Sequence, residues 1–336
     1  MYLFGDPATW LPLAFAALLG LSILIYVVLD GFDLGVGVLF PLAEPDEKDR
    51  MIASIGPFWD ANETWLVLAI GILLVAFPTA HGTILTALYL PVAVMLVGLI
   101  LRGVSFEFRV KAPARHKKSW DRAFYIGSMM TSLSQGYMLG MYIMGLEVTA
   151  FTLAFSAVTA VFLTVAYSFI GATWLILKTE GALQLKAVAW SKGGIWGVVL
   201  GMGAVSLASP LVSERIFDKW FSMPEFFLLM PLPLMSGALI VLLWLALRRL
   251  PTSDDSFAWF PFAATIVLFV LGFFGMAYSF YPFIVPEQLT IYEAASAPES
   301  LFIILIGTIF VLPMILGYTA LAYTIFRGKA TALSYE

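Results

Sequence analysis

Apolar runs of about 18 or more residues recur along the whole chain, and no other feature constrains its fold so strongly. Each run is long enough to cross a hydrocarbon core of roughly 30 Å. Backbone amides inside lipid have to be satisfied within their own segment or in a closed sheet, so runs of this kind become helices. The residue-by-residue alternation expected of barrel strands is absent. Composition agrees: 61% of the 336 residues are hydrophobic and 12% are charged, against roughly 25% charged in soluble domains. The expected fold class is therefore all-α, a polytopic membrane protein with about nine transmembrane helices. Four-helix bundles plus a peripheral helix are the expected layout, within a single integral membrane domain over residues 1–336.

Hydropathy places the spans near Leu11–Leu29 (continuing to Phe40), Ile55–Phe77, Thr83–Leu101, Ala123–Met144, Phe151–Leu177, Gly193–Val212, Phe226–Leu247, Trp259–Ile284 and Leu301–Phe326. The stretch Met1 to Trp10 has no basic residue, and the first apolar run is too long for a signal peptide, so no cleavable signal is expected. Basic residues give the orientation. Arg102, Arg109, Lys111, Arg115, Lys117, Lys118 and Arg122 follow span three, which predicts a cytoplasmic loop from Arg102 to Arg122. Lys178, Lys186 and Lys192 follow span five, Arg248 and Arg249 span seven, and Arg327 and Lys329 the last span. The alternate connections, Pro78–Gly82, Gly145–Ala150 and Val285–Ser300, hold few basic residues. An odd number of spans then puts the N-terminus outside and the C-terminus in the cytoplasm.

Cysteine is absent, which excludes disulfides and thiolate-bound clusters. No P-loop, zinc-protease helix or dinucleotide-binding glycine motif occurs, and nothing points to nucleic acid. The two histidines, His81 and His116, fall in predicted loops, so no pair at helical spacing is available to hold a haem within the membrane. No metal site is expected.

Intramembrane acids are the strongest chemical signal. Asp30 and Asp33 lie three residues apart on one face of span one, and Asp60 and Glu63 repeat that spacing in span two. A carboxylate in lipid costs a few kcal/mol and normally faces protein or a water-filled cavity. Arg102, at the inner end of span three, is the natural counter-charge. The group reads equally as a proton path and as a structural ion network. Gly31, Gly35 and Gly37 surround the first acidic pair and are expected to serve close helix packing. Trp59 and Trp65 read as interface anchors. Ser128, Thr131, Ser132, Ser134 and Gln135 make span four unusually polar and suited to joining helices. Glu107 and Arg109 are expected to be solvated or to face headgroups.

Three stretches in register resemble one family. Leu29 to Gly37, L-D-G-F-D-L-G-V-G, resembles the first-helix motif of cytochrome bd oxidase subunit II; Ser54 to Leu66, S-I-G-P-F-W-D-A-N-E-T-W-L, resembles its second motif; Arg102 to Lys111, R-G-V-S-F-E-F-R-V-K, resembles its third. The resemblance implies a complex that oxidises quinol and reduces dioxygen to water, in the bacterial cytoplasmic (inner) membrane. It implies a haem-bearing subunit I as partner, carrying haem b and either haem d or a further haem b, with no haem bound by this chain. A small single-helix accessory subunit and a structural quinone occur in some members. Residue by residue, Asp33 and Asp60 match the family's acidic positions, Asp30 is the neighbouring acid, and Arg102 matches the basic position; such carboxylates belong to a cytoplasmic proton route. Ala61-Asn62-Glu63 departs from the Gly-Asn-Gln of many relatives by adding an acid, and Gly103 stands where some have proline. These departures, with S-Q-G-Y-M-L-G from Ser134 to Gly140, are similar to the cyanide-insensitive branch. The competing reading is a secondary transporter with an intramembrane carboxylate site, which would require an inverted repeat and a substrate cavity within this one chain.

Overall fold

The computed structural model describes residues 6–252 and 254–330; Met1 to Gly5, at the start read as lacking a signal, lie outside them. Helix α1 (Pro7–Leu39) opens with Asp6 accepting the Ala8 amide at 3.0 Å and Pro7 in the first turn. A short 3₁₀ turn, Phe40–Leu42, leads into α2 (Pro45–Ile55). Then come α3 (Trp59–Ala76), α4 (Pro78–Lys111), α5 (Ala114–Ile143), α6 (Ala150–Lys178) and α7 (Gly181–Val212). The short helices α8 (Glu214–Phe221) and α9 (Glu225–Leu229) precede α10 (Pro231–Arg249) and α11 (Trp259–Phe280). A two-stranded antiparallel hairpin, β1 (Phe283–Val285) and β2 (Leu289–Thr290), pairs Phe283 with Thr290. Helices α12 (Ile291–Ala294) and α13 (Pro298–Ile325) complete the described chain.

The nine expected spans correspond to α1, α3, α4, α5, α6, α7, α9 with α10, α11 and α13. Among the described residues eight helical segments are long and apolar enough to cross a membrane. The ninth long helix, α5, falls short in apolarity because it starts with Arg115, His116, Lys117 and Lys118 and carries a hydroxyl-rich middle.

Connections are shorter than the hydropathy implied. No loop runs from Arg102 to Arg122: α4 continues to Lys111, α5 starts at Ala114, and Ala112 and Pro113 alone join them. Likewise Pro78–Gly82 is the first turn of α4, and Phe77 alone separates it from α3. Proline at the first helical position costs no hydrogen bond, which explains a helix starting where a loop was expected. His81 and His116 accordingly sit in the first turns of α4 and α5.

Helix α1 is the hub, packed against α3, α5 and α6, while α4 lies on α5, α5 on α6 and α6 on α7. A second group is built from α6, α7, α10 and α11. Peripheral α13 rests on α1 and α3 and otherwise presents apolar side chains such as Ile303, Phe310 and Met314 to the outside. The α1–α6 crossing is close because Gly35 meets Gly171; Gly31 lies under the Tyr167 ring, and Gly37 against Ser128 of α5. Between these helices Phe32 stacks on Trp174 with ring centroids 4.2 Å apart and meets Phe262 edge-on at 5.6 Å.

Ion pairs tie the basic end together. Arg109 is buried, against the expectation of a solvated side chain: it binds Asp121 at 2.6 Å and Asp49 at 2.7 Å, with its guanidinium 5.3 Å from the centre of the Phe40 ring. Its neighbour Glu107 is exposed, as expected. The amphipathic α2, which is too short and polar to show in a hydropathy scan, supplies Asp49 and also Glu47, which meets Lys186 at 2.7 Å. Burial draws the Glu47 carboxyl upward, but the Lys186 ammonium and the Glu44 amide outweigh it and hold the group below its ordinary value. A depressed carboxylate contributes stability in full above its unfolded value of about 4.3 and loses it as pH falls through the lower folded value. Glu47→Gln should therefore lower the melting temperature of the purified protein at neutral pH, with the difference from wild type closing as pH is taken below about 4. A pH-independent difference would mean that the pair contributes through packing instead.

Candidate functional site

The last third of α1 is buried on every side: each residue from Asp30 to Gly37 is shielded, because α3, α5 and α6 surround that segment. Asp30 and Asp33 are fully buried there, and Arg102, with 2% of its surface exposed, reaches Asp30 from α4. Its Nη2 donates to Asp30 Oδ1 at 2.6 Å and also to Glu63 Oε1 of α3. Two of the expected acids, Asp30 and Glu63, and the expected cation thus meet directly.

Asp33 is served differently. Asn62, buried on α3, donates from Nδ2 to Asp33 Oδ2 at 2.8 Å and to the Leu29 carbonyl at 3.3 Å. A backbone carbonyl only accepts, so the Leu29 contact fixes which end of the amide faces α1. Asn62 Oδ1 in turn accepts from the Tyr323 hydroxyl of α13 at 3.0 Å. Tyr323 is stacked on Phe58, 4.5 Å between centroids. Lys178 holds the chain beyond α13 by donating to the carbonyls of Phe326 and Gly328 at 2.6 and 2.9 Å.

Asp60 is not drawn into the paired group. It occupies the first turn of α3 and is exposed, one turn before Glu63, whose side chain keeps 27% of its surface accessible. The acids therefore form a graded series: Asp60 outside, Glu63 at the rim, Asp30 and Asp33 within. Asp30 Oδ2, Asp33 Oδ1 and Arg102 Nε are buried without a hydrogen-bond partner. A buried polar atom left without a donor or acceptor costs about 1–3 kcal/mol.

Trp65 does not anchor an interface; it is completely buried, and Trp59 packs on Phe106 and over Gly103. Tryptophan is common at membrane interfaces, but α3 turns Trp65 inward and lays Trp59 against α4. Two tyrosines that the sequence reading leaves out extend the polar interior around Gln135, which joins helices as expected: Gln135 Nε2 donates to Tyr26 Oη at 2.6 Å, and Tyr167 donates to Gln135 Oε1 at 2.7 Å. The one legible signal was Gln135, a full amide in the middle of a span. Among the described residues no group of three or more His, Asp or Glu side chains is placed to hold a metal ion. Haem does not fit the histidines of this chain either, since both stand in the first turns of helices, His81 partly exposed and His116 exposed.

Fold and site together define a polytopic helical membrane subunit with an ion cluster, rich in acid, inside its bundle. The sequence matches the family described as cytochrome bd terminal oxidase subunit II over residues 11–326, and the chain belongs to that family. It is similar to cytochrome bd ubiquinol oxidase subunit 2 of Bacillus subtilis (strain 168), 28% identical over 326 residues that cover 91% of this chain and 93% of the relative. It is also similar to cytochrome bd-I ubiquinol oxidase subunit 2 of Escherichia coli (strain K12), 27% identical over 366 residues, covering 95% of each. A chain in the structure of bd oxidase from Geobacillus thermodenitrificans shares the fold with a TM-score of 0.76 at 17% identity, over 95% of this chain and 99% of that one. The family match runs nearly end to end, which removes the ground for a secondary transporter.

Proposed function

We propose that this chain is the haem-free subunit II of a quinol:dioxygen oxidoreductase in the bacterial cytoplasmic membrane. In this reading it supports assembly of a haem-bearing subunit I and lends carboxylates to a proton route from the cytoplasm. The relatives named as ubiquinol oxidases support the reaction class. The basic ends of the helices favour an N-terminus outside and a C-terminus in the cytoplasm. The exposed apolar side chains of α3, α4 and α13, such as Val67, Leu90, Ile100 and Phe310, offer a flank for the partner.

The observation that carries the proton route is the graded series from Asp60 through Glu63 to the buried cluster. Asp30 and Glu63 share the single guanidinium of Arg102, and Asp33, its Oδ2 bound only by the neutral Asn62, lies three residues from Asp30 on the same helix face. Such a cluster has capacity to take up protons, because full ionisation would leave excess negative charge buried in a low-dielectric interior. Asp60 accepts a proton at the exposed edge and Glu63 passes it one turn inward, the spacing that places two side chains on one helix face. Dioxygen reduction to water consumes protons, so a subunit that conducts them limits turnover without touching an electron carrier.

Asp60→Asn in the complete complex tests the route. The expected result is normal assembly and a normal haem spectrum with oxygen consumption per haem slowed by about tenfold or more. Unchanged turnover would sink the proton route and leave the cluster as a structural ion network.

A further inference from the structure

We infer that Tyr26, Gln135 and Tyr167 are positioning residues that hold the Asp30 carboxylate on Arg102 through a one-way chain of hydrogen-bond donors. The direction of the chain follows from its atoms. Tyr167 of α6 gives its hydroxyl proton to Gln135 Oε1 of α5, which leaves the amide nitrogen pointing away from Tyr167. That nitrogen donates to Tyr26 Oη of α1. A phenol whose oxygen already accepts keeps its own proton to give. The acid one helical turn further along α1 is Asp30. Asp30 Oδ1 is taken by Arg102, and Oδ2 has no other partner. The two open ends, one donor and one acceptor, are complementary.

Burial makes the arrangement costly to keep without a use. Tyr26 is 4% exposed, Gln135 9% and Tyr167 0%, inside the helical bundle. A neutral amide between two phenols gains little there beyond repaying its own desolvation. Ended on a carboxylate, the same chain becomes charge-assisted, and each bond polarises the next. Asp33 receives nothing from these residues; its donor is Asn62, which leaves the two aspartates with separate supports. Asp30 is thereby held as the lasting partner of Arg102, and Asp33, with one neutral donor, is the freer carboxyl. The kinetic consequence rests on the proton-route reading above; the coupling of the three residues to Asp30 does not.

The test uses the complete oxidase complex carrying Tyr26→Phe, alone and combined with Asp30→Asn, with the melting temperature and turnover per haem measured in H₂O and D₂O. Tyr26→Phe should lower the melting temperature, and that loss should vanish in the Asp30→Asn background. Turnover should fall by about tenfold, the equivalent of one hydrogen bond to a charged group, with a larger solvent isotope effect and an unchanged KM for quinol. Additive losses of melting temperature in the double variant would overturn the inference. Where Asp30→Asn does not assemble, the pair Tyr26→Phe and Gln135→Leu decides: non-additive losses support the chain, and additive ones overturn it. Coupled melting temperatures with normal turnover in both Tyr26→Phe and Asp60→Asn would uphold the positioning and refute the proton route.

Discussion

Gly35→Ala is expected to prevent the complex from accumulating, although it adds a single methyl group. A Cβ at this position would stand 1.7 Å from the Tyr167 carbonyl oxygen, 2.5 Å from its carbon and 3.1 Å from the Gly171 Cα. Those atoms belong to the backbone of α6, so no rotamer change relieves the contact and the helices must separate. Gly171 is held as tightly from the other side, its own Cβ position lying 2.6 Å from Gly35 C and from Val36 N. Separation would open the Phe32–Trp174 stack and loosen the segment of α1 that carries Asp30 and Asp33. Overpacking ordinarily costs about 1–3 kcal/mol, and a backbone collision at the hub of the fold belongs at or above the top of that range. Gly193→Ala is the matched control, since a Cβ there meets nothing within 4 Å and alanine is the better helix former by about 1 kcal/mol. The measurement is the amount of this chain and of haem in isolated membranes, followed by the melting temperature of whatever is recovered. A Gly35→Ala complex with wild-type yield and melting temperature would show that α1 and α6 are not in contact here.

That crossing was legible only in part. Glycines flanking an acidic pair announce a close approach, yet nothing in the sequence says that Gly35 meets Gly171 of a helix 136 positions away. The spans themselves were plain, because lipid permits few other uses for an apolar run of this length. Their ends were not. Hydropathy stops where the side chains turn polar, whereas backbone hydrogen bonding continues into the headgroup region, so α4 ran on to Lys111 and α5 began at Ala114. Arg109 was misplaced for the same reason: a basic residue beyond a span looks solvated until α2, itself invisible to a window of transmembrane length, folds back with Asp49. Within the site, acids and arginine stand out against an apolar background, and two of the four named acids, Asp30 and Glu63, do meet on Arg102. Tyr26, Tyr167 and Tyr323 do not stand out, since a tyrosine in an apolar run reads as one more hydrophobic residue. Only tertiary contact reveals its hydroxyl as part of a polar chain.

Arg102→Met is expected to be as damaging as any single change in the membrane interior, because it removes charge from a cluster that has no substitute. Asp30 and Glu63 both bind Nη2, so one truncation leaves Asp30 fully buried, Glu63 half-buried and Asp33 nearby with no cation among them. Removing one partner of a buried ion pair costs about 3–5 kcal/mol, comparable with the whole stability margin of many proteins at about 5–15 kcal/mol. Little or no haem-containing complex should be recovered from membranes carrying this variant. Two further variants separate lost charge from lost bulk. Since both acids converge on a single nitrogen, Arg102→Lys should restore part of the yield, limited by the shorter reach and the missing fork of lysine. Combining Arg102→Met with Asp30→Asn takes away the stranded charge as well, and recovery should exceed that of Arg102→Met alone, as when both members of a buried pair are replaced together. Haem per unit of membrane protein ranks the series. If Arg102→Met assembles as well as wild type, the guanidinium is not the charge that holds these carboxylates inside the bundle, and the acids must share protons among themselves instead.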